Sequence, residues 1–130
     1  MTEATNVAHQ LAVLGECMVE VKPTKSSGQF DAGPIAAHIG YGGDTLNCSV
    51  YLARLSVGVS YVTSVGDDPL SDWMVDQWQA EGINCDQVRR ANSAVPGLYL
   101  IDTDEHGERS FYYGRDQAPF RSLFDDPQQS

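Results

Sequence analysis

The feature that most constrains this fold is a glycine cluster set directly before a helix and between two β-type runs. Leu11 to Gly15 (LAVLG) is a short apolar run ending in glycine, the pattern of a buried strand. Met18 to Val21 extends the same apolar character. Gly40, Gly42 and Gly43 then precede Leu46, Val50, Leu52, Ala53 and Leu55, whose spacing predicts a helix over about 45–55 that ends before Gly58. Val57 to Val65 (VGVSYVTSV) is β-branched and partly alternating, and closes on Gly66 as a second core strand. Strand, helix, strand in this order predicts a parallel βαβ unit and an α/β fold.

The remaining segments fit around that unit. Residues 22–43 are rich in Gly, Ser and Pro, and predict turns and short strands at a sheet edge. Asp67 to Ala80 places Leu70, Trp73, Met74 and Trp78 on one face, with acids in the first turn and Gly82 as a stop, so it predicts an amphipathic helix. Asp67 and Asp68 both favour the N-terminus of that helix. GLYLID (97–102) and RSFYY (109–113) read as two strands joined through Gly107. Residues 1–10 read as a polar tail, and APFRSLFDDPQQS begins a helix or loop and then stops in polar residues. So few parallel strands make a thin sheet, which raises the expectation of a missing C-terminal portion.

Charge narrows the function. A formal net charge of -10 argues against nucleic acid and against an anionic membrane surface, since both demand clustered Lys and Arg. A small anion can still be held by one or two local cations and backbone N–H donors. No stretch reaches the length of a membrane span and no leader pattern opens the chain, so the expected compartment is cytoplasmic. Cys17, Cys48 and Cys85 form no CxxC pair and read as reduced, partly buried thiols. His9, His38 and His106 lack metal-ligand spacing and read as solvated.

The glycine cluster is also the best chemical signal. Glycines before a helix let a ligand approach the backbone, where free N–H groups favour anions or hydroxyl oxygens. The run is neither GxGxxG nor a Walker A loop, because no Lys-Ser/Thr pair follows. Asn47, in the first helical turn, carries both a donor and an acceptor suited to sugar hydroxyls, with helix capping as the bland alternative.

GGDTLN followed by CSVYLARLSVGVSYVTSVG resembles the first signature of the ribokinase/PfkB family of carbohydrate kinases: paired Gly, an Asn shortly after, small Ser49 and Ser56, then Gly66. Thr45 departs from it, standing where the general pattern has Gly, Ala or Pro. GECMVE, GGDTLN, GLYLI and GERSFYYGR, in that order over residues 11–120, are similar in wording to the 2-keto-3-deoxygluconate kinase branch. The resemblance implies the N-terminal part of a ribokinase-like three-layer α/β/α fold, over residues 11–130, with a small β-sheet lid built from about 22–43 and 97–115.

By matched position the resemblance makes Gly42, Gly43 and Asn47 substrate-binding candidates. It adds Glu20, which falls where relatives carry a sugar-contacting aspartate, although a solvated acid at a strand end is an equal reading. Tyr99, Tyr112 and Arg115 fall on the lid. Alternation separates Tyr112 from Phe111 and Tyr113, and Tyr112 is the expected ligand-facing ring. Arg115 is the expected partner of a sugar-acid carboxylate, a charge-assisted contact worth roughly 1.5–3 kcal/mol.

The activity implied is transfer of the ATP γ-phosphoryl group, with Mg2+, to the primary hydroxyl of 2-keto-3-deoxygluconate. The family's base is an aspartate in a late GAGD-like motif, which these 130 residues do not contain. No catalytic residue is therefore assigned, and the chain alone is expected to be inactive. Lid sheets of this family often pair between subunits, so a homo-oligomer through the lid is an option that the sequence itself leaves open. Two rivals stand beside this reading: a fructokinase-like or other sugar kinase of the same family, and a non-catalytic module that binds sugar acids.

Overall fold

The computed structural model describes residues 10–125. The expected tail at 1–10 and the last polar residues of the chain therefore lie outside the described residues, Gln10 excepted. The apolar start forms β1 (Leu11–Leu14), and the β-branched run forms β4 (Val59–Gly66). They pair in parallel with Leu11 beside Val59 and Leu14 beside Val62. Between them runs α1 (Asp44–Arg54), which crosses over from β1 to β4 and packs on both. The βαβ unit and α/β class predicted from spacing are thus present.

Three strands make the first sheet, in the order β1-β4-β5, with β5 (Val88–Ala91) parallel to β4. β5 had no counterpart in the sequence reading, because VRRA is short and two of its four residues are arginines. Arg90 is held by Gly66 O at 3.2 Å and by Asp72 at 2.6 Å, so the position is fixed by polar contacts that hydrophobic periodicity does not register.

A second sheet has four strands in the order β3-β2-β6-β7: β2 (Met18–Pro23), β3 (Ala37–Gly42), β6 (Leu98–Thr103) and β7 (Arg109–Gly114). Met18–Val21 therefore does not extend the first core strand. The ladder of β1 ends where Gly15 N bonds Val62 O at 3.3 Å, and Glu16 and Cys17 carry the chain across to the second sheet. Gly15 is required at this turn, because a Cβ there would collide with the side chain of Thr45. The segment 24–36 contributes one short 3-10 turn at Ser27–Gln29, and β3 is an edge strand as its composition predicted. The β6–β7 hairpin turns through Gly107 at φ +83.

The helix α2 (Pro69–Ala80) follows β4. Asp68 caps it, accepting from Leu70 N at 3.1 Å and Ser71 N at 3.2 Å, and Pro69 occupies the first turn where its missing N–H costs nothing. Asp67 does not share that role. It reaches back to accept from Ser93 N at 2.9 Å, and that bond holds its carboxyl below the usual range.

Trp78, Tyr61, Leu46 and Met74 are fully buried and form the centre of the core. Trp73 packs against this cluster from its edge, while Leu70 stays exposed. Tyr61 of β4 meets Trp78 edge-on at 5.3 Å, and Tyr41 of β3 meets Trp73 at 5.3 Å and Trp78 at 6.4 Å. Each such pair adds about 0.5–1.5 kcal/mol beyond area burial. The aromatic chain ties the second sheet to the first through α2. Cys17 joins the core, Cys85 is half-buried, and Cys48 is exposed on α1, contrary to the expectation of a partly buried thiol there.

Candidate substrate-binding site

Alternation along the second sheet gives its two faces different work. Val19, Val21 and Tyr41 turn toward the core. Met18, Gly42, Tyr99, Phe111 and Tyr113 turn the other way and line a cavity of about 460 Å3. Its floor is closed by the start of α1, through Gly43, Asp44, Thr45 and Asn47, and one side is closed by Glu16 and Arg115. No side chain caps α1, whose first turn borders the cavity, so its leading backbone N–H groups are available to a ligand.

Of the seven residues singled out from sequence, this cavity gathers Gly42, Gly43, Asn47, Tyr99 and Arg115. Gly42 is buried, and a Cβ on it would run into the Tyr99 hydroxyl. A Cβ on Gly43 would strike the carbonyl oxygen of Glu16. Both glycines are therefore dictated by close approach rather than by backbone angle, since Gly43 is simply extended at φ 171. Asn47 donates its backbone N–H to Gly43 O at 2.9 Å within the helix, so its exposed side chain is not the cap.

Two of the seven lie elsewhere. Tyr112 is on the wrong face for the cavity: it pairs with Leu100, whereas Tyr99 pairs with Tyr113 and Ile101 with Phe111. Directly opposed residues share a face, so once Tyr99 faces the cavity, Tyr113 must as well. The rings agree, with Tyr99 6.1 Å from both Phe111 and Tyr113. Tyr112 remains 57% exposed on the other side. Glu20 does not line the cavity either. It stands one pleat along from Met18 and accepts the Tyr99 hydroxyl at 2.8 Å, which places the phenol oxygen against Gly42. Burial and this acceptor push the Tyr99 hydroxyl above its ordinary range, so it remains a protonated donor.

Three residues to which the sequence reading gave no role at the site matter here. Glu16, with a side chain only 8% exposed, stands 2.7 Å from Arg115 Nη2. Neither of its carboxylate oxygens has an aligned hydrogen-bond donor among the described residues, so the contact is Coulombic. Asp44 adds a second acid at the first turn of α1. Thr45 shares a 3.0 Å hydroxyl contact with Tyr61 and fills the space left by Gly15, which gives the departure from the general signature a packing role.

The cavity thus offers one cation with an acid beside it, a second acid at Asp44, hydroxyl and amide partners, and aromatic walls: equipment suited to a small polar ligand. It does not fit a triphosphate or a magnesium ion. Glu16 and Asp44 border it with no lysine, and no group of three His, Cys, Asp or Glu that could hold a metal occurs among the described residues.

A small-molecule binding site on an α/β scaffold with an attached second sheet is the class that these features define. The chain belongs to the pfkB family of carbohydrate kinases, which it matches over residues 8–126. It is 39% identical over 121 residues to the 2-dehydro-3-deoxygluconokinase of Dickeya dadantii, covering 90% of this chain and 36% of that protein. It is 40% identical over 116 residues to the enzyme of the same name from Escherichia coli K12, covering 86% of this chain and 35% of that protein. A solved fructokinase from Xylella fastidiosa with bound ATP superposes with a TM-score of 0.73 at 27% identity, over 85% of this chain and 34% of that one. The chain therefore spans about a third of the length of the curated relatives it matches. No helix among the described residues is long and apolar enough to cross a membrane.

Proposed function

We propose that this chain supplies the sugar-acid cradle and lid of a cytoplasmic, ATP-dependent kinase that phosphorylates 2-keto-3-deoxygluconate at its primary hydroxyl. Residues 11–130 would then form the N-terminal portion of the kinase domain, with ATP supplying the phosphoryl group from a site built by other residues, together with Mg2+. The observation that carries the reading is Arg115, the single cation of a cavity lined also by hydroxyl, amide and aromatic groups and by the acids Glu16 and Asp44. Identity near 40% to two proteins named 2-dehydro-3-deoxygluconokinase supports the choice of sugar acid.

Within that reading the residues have distinct tasks. Arg115 takes the carboxylate. Asn47 and the exposed N–H groups at the start of α1 take hydroxyls, and Gly42 and Gly43 keep the backbone close enough to do so. Tyr99, Phe111 and Tyr113 cover the ligand and exclude water.

The test is steady-state kinetics of the full-length protein with 2-keto-3-deoxygluconate, fructose, and ATP with Mg2+. Arg115→Ala should raise KM for the sugar acid about ten- to a hundredfold and spare KM for ATP. Unchanged KM for the sugar acid removes Arg115 from this role, and a preference for fructose in the unmodified protein favours the fructokinase-like alternative. The chain of 130 residues alone should show no turnover.

A further inference from the structure

Arg115 follows Gly114 at the end of β7, where every strand residue is exposed, and its own side chain is 43% exposed. A long cation in such a place samples many rotamers unless something holds it. The holder is unusual. Glu16 belongs to the short crossing between the two sheets and is nearly buried, yet both of its carboxylate oxygens lack aligned donors. Its backbone is pinned by Gly43, whose missing Cβ admits the Glu16 carbonyl. Its carboxylate lies over Gly97, where a Cβ would come within 2.9 Å of Glu16 Oε2, 3.1 Å of Arg115 Cβ and 3.2 Å of Ala118 Cβ. Glycine at 97 therefore creates the space in which acid and arginine meet.

We propose that Glu16 is a positioning residue that fixes the Arg115 guanidinium at the cavity edge, an inference that rests on the sugar-acid reading above. A rigid anion attached to the core holds one nitrogen of a five-donor fork, and the remaining N–H groups stay free for a ligand carboxylate. Selectivity for an acid over a neutral sugar then depends on Glu16 and Gly97 as well as on Arg115. Buried charge of this kind is costly in stability, so fold maintenance alone is a poor account of Glu16.

The full-length protein tests this with Glu16→Gln, Gly97→Ala, Arg115→Ala and the pair Glu16→Gln with Arg115→Ala, each checked for folding by thermal unfolding. The expected result is a rise of about tenfold in KM for 2-keto-3-deoxygluconate in Glu16→Gln, with no such rise for ATP. Gly97→Ala should reproduce it without changing a charge, and Glu16→Gln should add nothing once Arg115 is alanine. A lower KM for the sugar acid in Glu16→Gln would mean that Glu16 competes with the ligand for Arg115, and would overturn the proposal. So would an equal effect on fructose, or an undiminished effect in the Arg115→Ala background. Side-chain nitrogen NMR of ligand-free protein separates the two layers of inference: an ordered Arg115 signal that is lost in Glu16→Gln supports the pairing even where the sugar acid proves not to be the substrate. An averaged Arg115 signal in the unmodified protein overturns it.

Discussion

The phenol oxygen of Tyr99 occupies the space that a Cβ on Gly42 would need, while the ring carbon bearing it stands 3.4 Å from that position. The two residues come from β6 and β3, on either side of β2, so the contact sets the width of the sheet face that the ligand meets. Gly42→Ala should destabilise the chain by about 1–3 kcal/mol, the usual cost of overpacking. Tyr99→Phe removes the offending oxygen, and the double variant should recover part of the loss in urea unfolding. Equal stability for Gly42→Ala alone and with Tyr99→Phe would show that the contact is not limiting.

Tyr113 and Tyr112 offer a direct comparison of the two faces of β7. Tyr113→Ala should raise KM for the sugar acid roughly tenfold in the full-length protein, because it removes a cavity wall next to Tyr99. Tyr112→Ala should leave that constant in place. The opposite ranking would put Tyr112 back at the ligand.

These two tyrosines also show how far a sequence can be read. The strand at 109–114, its partner at 98–103 and the turn at Gly107 were legible from alternation and turn chemistry. Which ring faces the cavity was not, because alternation within one strand leaves the choice of face open. The register pairing Tyr99 with Tyr113 decides it, and register is a property of two strands. The same holds at the front of the chain, where Met18–Val21 looked continuous with Leu11–Leu14. Only the fold shows that Thr45, thirty positions on, takes the space beside Gly15 and leaves room for no side chain at the turn that follows the first strand. Glu16 stands in the motif GECMVE but received no role for a different reason: a lone acid beside a glycine carries no periodicity, and its partner lies at the far end of the second sheet.

Alkaline titration followed by tyrosine absorbance should separate the phenols. Tyr41, Tyr61 and Tyr99 are pushed above the ordinary value of 10.0, in each case chiefly by burial, with the Glu20 acceptor adding to the effect at Tyr99. A raised value in the folded state means that the phenol contributes stability below pH 10, and that the contribution is lost as pH climbs beyond it. Native protein should therefore show a late phase of phenol ionisation, absent in urea, and Tyr99→Phe should remove part of it. A single early phase in native protein would contradict the burial of these rings.

Asp68 bears on stability alone. It caps α2 and also accepts the hydroxyl of Ser71, which in turn accepts Gly66 N at 2.9 Å at the end of β4. Asp68→Ala should therefore cost about 2 kcal/mol, the upper end for a lost helix cap. Asp67→Ala should cost less, since Asp67 is exposed and accepts from the Ser93 loop rather than from the helix. Chemical denaturation of the two variants side by side checks the order.

The aromatic contacts of Tyr41 with Trp73 and Trp78 have a mechanical consequence. They clamp β3 to the body of the molecule, and the core positions of Val19 and Val21 clamp β2 beside it. Half of the second sheet is consequently a fixed jaw. The outer strand β7, with all six residues exposed, lacks any such clamp of its own and is held through its pairing with β6. The cavity therefore has walls of two kinds: Gly42 and Met18 belong to the clamped strands, whereas Phe111 and Tyr113 belong to the exposed ribbon that ends at Arg115.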